Sequence, residues 1–369
     1  MEKFNFKPEA SEIELEIAQV LEHIEPLDQG YIDEAKKYSD SLAKPLGSLG
    51  RMEDIWETMW AITKGKLEHL KKAVVVYAGD NGVCAQGVSS NPQDVTFKVC
   101  ESILTGRSGL GRIAAFYGVD VYLEDLAVLE DVPGYTDYKV LKGTGDIRLG
   151  PAMTRDEAAQ AVLAGIRRTQ GLIDSGYNLI GAGEMGVGNT TTSSAVISIL
   201  TGVAPDVTTG YGSGITETMR NNKIQVVKDA LQVNEPYRDI LDVLAKISGA
   251  DICAMAGTYL VCAANRIPFV LDGVISMAAL AAAKAFHPQV MDYCFPSHKS
   301  QDAGARAVEE VLLVRPMLDM NMRLGEASGC PLGMNLIECS LYTLGTMATF
   351  DDISVDKNDY IDIREESKK

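Results

Sequence analysis

The stretch NLIGAGEMGVGNTTT, residues 178–192, decides the reading of the fold. Asn178–Ala182 is a short apolar run that predicts a buried strand. Glycines follow closely at 181, 183, 186 and 188, and Asn189 with three threonines then opens SSAVISILTG at helical spacing. A strand, a glycine turn and a polar helix start, in that order, point backbone N–H groups at an anion. Glu184 sits inside the turn, where a loop built for phosphate alone would not place a carboxylate. The expected ligand therefore carries a phosphate and also offers Glu184 a hydroxyl or a positive charge.

Outward from this stretch the texture is that of a parallel sheet. AVVVYA (73–78) is continuously apolar and ends in GDNG, and Val119–Leu123, Ile267–Leu271 and Val290–Tyr293 read as further strands. Helical segments between most of them predict an α/β domain covered by helices on both faces. Ligands of such sheets bind at the carboxyl ends of strands. There the chain places GDNGV, GEMGVGN, DGVIS and SHKS. Residues 1–70 and 303–350 read as helical and are expected to pack as a small second domain around a large one, 71–302. An acidic tail, 351–369, closes the chain and is expected to fray.

Composition narrows the function. The chain has 369 residues, enough for about two domains, and its net charge of −17 argues against nucleic acid or an anionic membrane as partner. Its acidic start, MEKFNFKPEASEIELE, has no secretory core, so a cytoplasmic location is expected. Seven cysteines without a C-x-x-C pair read as reduced thiols, and four scattered histidines suggest no metal site. No G-x-G-x-x-G opens the first βα unit, and no G-K-[ST] ends a phosphate loop, which disfavours a dinucleotide oxidoreductase and a Walker-type site.

Individual residues carry two readings each. Glu326, in RLGEASG beside Arg323 and Ser328, is either a solvated loop acid or a general base, a role worth about 10²–10⁴-fold in rate. Asp80 and Asp272 both follow strand ends, as Asx-turn formers or as crevice acids. Ser297 and His298 are adjacent and lack a third partner, which disfavours covalent catalysis. Lys223 is a solvated helix lysine or a phosphate cation.

Taken in order, KPLGSLGRME, AGDNGVCAQGVS, GPAMTRDEA, GEMGVGNTTT, RNNKIQVV, GADICAMAG, FVLDGVIS and MRLGEASG resemble the nicotinate-nucleotide–dimethylbenzimidazole phosphoribosyltransferase family, from about Glu34 to about Met347. The resemblance implies a Rossmann-like α/β domain of parallel strands, a small helical domain from both chain ends, and a dimer. It also implies transfer of phosphoribose from nicotinate mononucleotide to an aromatic base, with inversion, and no metal or other cofactor. By its match, Glu326 takes the base role. Glu184, Gly186, Gly188, Asn189, Thr190, Thr191, Gly212, Ser213, Lys223 and Ser297 are implied to hold the donor. Glu53, Asp80, Asn81, Asn91, Phe97, Lys98, Val99 and Leu324 are implied to line the base pocket, Glu53 from across the dimer.

The usual AGDHG reads AGDNG, and a Gln common among relatives is missing from Phe97-Lys98-Val99; these departures lie on the base side, whereas GRGTG reading GYGSG at 210–214 does not. A side branch of the family transfers to phenol or p-cresol as a heterodimer of homologous subunits. A phenol, with a pKa near 10, offers one O–H and no second ring nitrogen, which suits a pocket without that Gln. A non-catalytic partner subunit is a further alternative, which retention of Glu326, Glu184 and Asp80 disfavours.

Overall fold

The structure is a computed structural model that describes residues 2–356, 362 and 364. Residues 357–361, 363 and 365–369 of the expected acidic tail lie outside the described residues.

Five strands form one parallel sheet: β1 (Lys72–Gly79), β2 (Asp120–Ala127), β3 (Leu179–Met185), β4 (Phe269–Leu271) and β5 (Cys294–Pro296), in the order β2-β1-β3-β4-β5. Val74 stands opposite Val121 on one side and Gly181 on the other, so β1 and β3 are central and neighbouring. Every residue of β1 is buried, as expected of a strand covered on two faces. The helices Val95–Leu104 and Ala250–Ala264 each pack on β1, β2 and β3, which places one on each face of the sheet. Gly165 and Gly257 let the helices Arg155–Asp174 and Ala250–Ala264 touch backbone to backbone. A Cβ at either glycine would lie 1.9–2.0 Å from a carbonyl oxygen of the other helix.

The chain progresses outward from β1 to β2, then returns to the other side of β1 to start β3. In open α/β sheets this switch of direction leaves a crevice at the strands' carboxyl ends.

Two strand expectations change. Val290–Tyr293 belongs to a 3₁₀ helix, Pro288–Tyr293, and the edge strand is Cys294–Pro296. Proline supplies no N–H and a fixed φ, which suits a first helical turn and not a ladder. For the same reason β4 begins at Phe269, just past Pro268.

The domain boundaries also change. One compact unit comprises Met1–Glu25 and Lys71–Gly333, and the other comprises Pro26–Leu70 and Met334–Lys369. Residues 1–25 and 303–333, expected in the helical domain, join the sheet-bearing unit. Arg155 explains the first part: it pairs with Glu14 and Asp239 at 2.8 Å each and ties the N-terminal helix Glu12–Leu21 to the sheet's helices. The second is held by Met317 N–H on the Pro296 carbonyl and Leu318 N–H on the Ser297 carbonyl.

The smaller unit has its own core of Ala35, Leu42, Trp56 and Leu344, with Trp56 stacked between Tyr38 and Trp60. Glu53 is buried in this unit. It accepts from Lys44 Nζ at 2.9 Å, Leu49 N–H at 2.8 Å and Ser39 Oγ at 3.2 Å, so both carboxylate oxygens are engaged.

Candidate active site

A cavity of about 240 Å³ opens in the larger unit at the carboxyl end of β3, beside the switch point. Its lining falls into three parts: an anion cradle, a turn that carries Glu326, and an apolar wall.

The cradle is built by the stretch 178–192. Gly186 packs directly on the end of β1, where a Cβ would come within 2.2 Å of the Gly79 carbonyl oxygen. Gly188, at φ +93°, turns the chain into the helix Asn189–Thr201. The first residues of that helix, Asn189 and Thr190, line the cavity, so its positive dipole end lies there. Lys223, almost fully buried, donates from Nζ to Thr190 Oγ1 at 2.7 Å. Burial pushes its amine down to about 8, opposed by nearby Asp302. A bound anion would restore the charged form. Gly212 and Ser213 close this end, and Asn91 Nδ2 donates to Ser213 Oγ at 3.3 Å.

Glu326 sits in a turn whose three residues Gly325, Glu326 and Ala327 all have left-handed φ, +83°, +58° and +62°. For a glutamate and an alanine that conformation costs about 1–3 kcal/mol each, so surrounding contacts must impose it. The turn lies flat on β3: a Cβ at Gly183 would meet Ala327 Cβ at 2.5 Å. Two strand-end carboxylates pack on its backbone. Glu184 Oε1 lies against Gly325, where a Cβ would meet it at 2.7 Å. Asp272 accepts the Gly329 N–H at 2.7 Å.

The Glu326 carboxyl itself is half-buried, which raises its pKa. The Leu110 N–H, in the first turn of the helix Gly109–Tyr117, and the Ser108 hydroxyl oppose that rise. Its Oε2 has no hydrogen-bond partner. Around it, burial and mutual repulsion raise the other acids: Glu184 to about 8 with Asp251 and Asp272 contributing, Asp272 to about 7, and Asp251, by burial, to about 6. Asn189 Nδ2 donates to Glu184 and, at 3.1 Å, to Asp251.

The apolar wall includes Val88, Val95, Val99 and Leu324. Val95 and Val99 are four residues apart on the helix Val95–Leu104 and therefore share a face.

The structure brings twelve of the expected residues to the cavity: Glu326, Glu184, Gly186, Gly188, Asn189, Thr190, Gly212, Ser213, Lys223, Asn91, Val99 and Leu324. The others stand elsewhere. Thr191 is turned into the core, and Ser297, fully buried, is bonded to His298 Nδ1 at 2.9 Å. Asp80 accepts the Leu129 N–H at 2.9 Å, and Asn81 packs under Gly188, both beneath the loop. Lys98 is exposed and pairs with Asp94, and Phe97 is only half-buried, since consecutive helix residues point to different faces. Cavity residues that the sequence does not announce include Val88, Val95 and Asp302, while Tyr211 and Ser276 belong to the GYGSG and DGVIS stretches already singled out. Of the unannounced residues only Val95 carries a readable signal, its i,i+4 spacing to Val99; the rest come from distant loops and helix starts.

A switch-point cavity with a helix-start anion cradle, a buried lysine and a carboxylate held free beside them defines an α/β enzyme of the sugar-phosphate-handling class. A family model described as Phosphoribosyltransferase matches residues 24–355. The nicotinate-nucleotide–dimethylbenzimidazole phosphoribosyltransferase of Acetivibrio thermocellus is 40% identical over 343 residues, 92% of this chain and 98% of that one. The Clostridium tetani enzyme of the same name is 40% identical over 354 residues, covering 95% and 98%. The crystal structure of CobT from Thermus thermophilus superposes with a TM-score of 0.84 at 36% identity, covering 89% of this chain and 99% of that one. The chain belongs to the nicotinate-nucleotide–dimethylbenzimidazole phosphoribosyltransferase family and is a pentosyltransferase. Among the described residues no helix is long and apolar enough to cross a membrane.

Proposed function

We propose that this enzyme transfers the phosphoribosyl group of nicotinate mononucleotide, with inversion, to an aromatic base that becomes the lower ligand of a cobamide. The observation that carries the reading is that the Lys223–Thr190 cradle and Glu326, with its Oε2 unpartnered, line one cavity.

The chemistry asks little of the protein beyond placement. The leaving nicotinate ring is a pyridinium in the donor and departs neutral at nitrogen, so no acid is required, and the proposal uses no metal or cofactor. The cradle fixes the 5′-phosphate, with Lys223 and the helix start supplying the positive field. Fixing two reactants in line contributes up to about 7–11 kcal/mol. Glu326 takes the acceptor's proton as the bond to C1′ forms; its raised pKa makes it a stronger base near neutrality than a solvated glutamate. Glu184 faces the ribose hydroxyls and the cationic ring.

The acceptor is 5,6-dimethylbenzimidazole or a similar base, as the relatives' names suggest. A second reading, with phenol or p-cresol as acceptor, is favoured by the wall: Val95 and Val99 face the cavity, and neither offers a partner for a second ring nitrogen. The same proposal includes a cytoplasmic dimer, either of identical chains or with a homologous subunit, across which Glu53 would approach the base.

Incubating the pure protein with nicotinate mononucleotide and 5,6-dimethylbenzimidazole, adenine, phenol or p-cresol, alone and mixed with a homologous subunit, tests the proposal. Nicotinate release with one acceptor class is expected. No release with any acceptor in either format would overturn it.

A further inference from the structure

We propose that Asp272 is the positioning residue for Glu326: by accepting the Gly329 N–H, two residues beyond the left-handed turn, it holds the turn that presents the base to the cavity.

The turn needs such a clamp. Glu326 and Ala327 both sit at positive φ, a conformation that L side chains disfavour, and it persists only where neighbours impose it. Three constraints do so. Gly183 leaves a flat seat on β3 for Ala327, and Glu184 Oε1 packs against Gly325. Asp272, just past the carboxyl end of β4, accepts the Gly329 N–H at 2.7 Å.

Asp272 is 2% exposed, and its nearest basic group, His298 Nδ1, lies 3.9 Å away. Burial pushes the imidazole below its ordinary pKa and so favours the neutral ring. The carboxylate is therefore not held there by an ion pair. The Gly329 N–H, two residues beyond the left-handed turn, is what it binds. A charge-assisted bond is short and fixed in direction, so it anchors the exit of the turn. Standing directly after β4, Asp272 ties the Glu326 turn to the end of the sheet.

This inference rests on the proposed base role of Glu326, and the test separates the two. Turnover, the donor KM and donor binding are measured for Asp272→Ala, Asp272→Asn, Glu326→Gln and the double variant Asp272→Ala/Glu326→Gln. A displaced base costs on the order of 10²-fold. Asp272→Ala is expected to lower kcat by about that factor, with the donor KM within about twofold of wild type. Asp272→Asn, whose amide oxygen still accepts an N–H, should recover about tenfold of the loss, since charge assistance roughly doubles a hydrogen bond's strength. The double variant should turn over no more slowly than Glu326→Gln.

A rise in donor KM at unchanged kcat would overturn the inference, because Asp272 would then contact the donor directly. A double variant slowed by the product of both losses would overturn it too. If Asp272→Ala does not fold, Asp272→Asn and its double with Glu326→Gln carry the same comparison. Unchanged turnover in Glu326→Gln defeats the base role itself; a large loss there with none in Asp272→Ala defeats only this inference.

Discussion

The two ends of the cavity are made differently. The anion end is backbone: glycines packed against β1, the start of the helix Asn189–Thr201 and one buried lysine. The opposite wall is side chain: Val88, Val95, Val99 and Leu324, with little that fixes a partner in direction. On the proposed function the first end would take the donor's phosphate, and the apolar wall would select an acceptor by shape, which changes with single methyl groups. Donor binding would then be tied to the fold, while acceptor choice would be free to vary on the same scaffold.

That contrast can be broken at several points. The largest effect is expected at the junction of the two ends. Glu326→Gln should lower kcat by about 10²–10⁴-fold with the donor KM almost unchanged, read from steady-state nicotinate release. Next, Lys223→Ala should raise the donor KM by about 10–100-fold, the loss of a charged hydrogen bond worth about 1.5–3 kcal/mol, and leave acceptor preference as it was. On the apolar wall, Val99→Ala should alter the ratio of kcat/KM between a benzimidazole and a phenol by roughly tenfold, in line with about 1–3 kcal/mol per small apolar group, and spare the donor KM. A change of donor KM in this variant would show that the two ends are not separable.

The smallest effect is thermodynamic. Glu184, Asp272 and Asp251 have folded pKa values raised from 4.5, 3.8 and 3.8 to about 8, 7 and 6. In the intervening pH range the folded state binds protons that the unfolded chain has lost, so stability falls as pH rises. The contribution is full below about pH 4 and disappears progressively through about pH 6–8. Thermal unfolding of the ligand-free protein should show Tm declining over that window, and Glu184→Gln should flatten the decline. A Tm that rises between those limits would contradict the acid cluster.

The same contrast governs what the sequence reveals. The anion end is legible because glycine spacing is a local signal: Gly186 is needed where backbone meets backbone and Gly188 where the chain turns at positive φ, and both stand beside the strand they serve. The parallel sheet is legible from apolar runs such as 73–78. The edge strand is misread as Val290–Tyr293 because a three-residue strand following a proline-led turn has no period to read. The wall is legible only in part. Phe97, Lys98 and Val99 are neighbours in sequence, but a helix turns about 100° per residue and only Val99 faces inward. Asp302 reaches the cavity from a distant segment, so no spacing marks it. The domain boundary at Glu25 depends on Arg155 meeting Glu14 and Asp239, a long-range pairing that helical periodicity does not encode.

Glu326 occupies a backbone conformation in which glycine would rest more comfortably. Stability alone would favour glycine at this position, and on the proposed mechanism that change would remove the base. Its neighbours at the strand ends, Glu184 and Asp272, share one property with it: each is an acid placed where burial disfavours its charge. On that proposal the site is a small cluster of positions where the better-folding residue would be the wrong one.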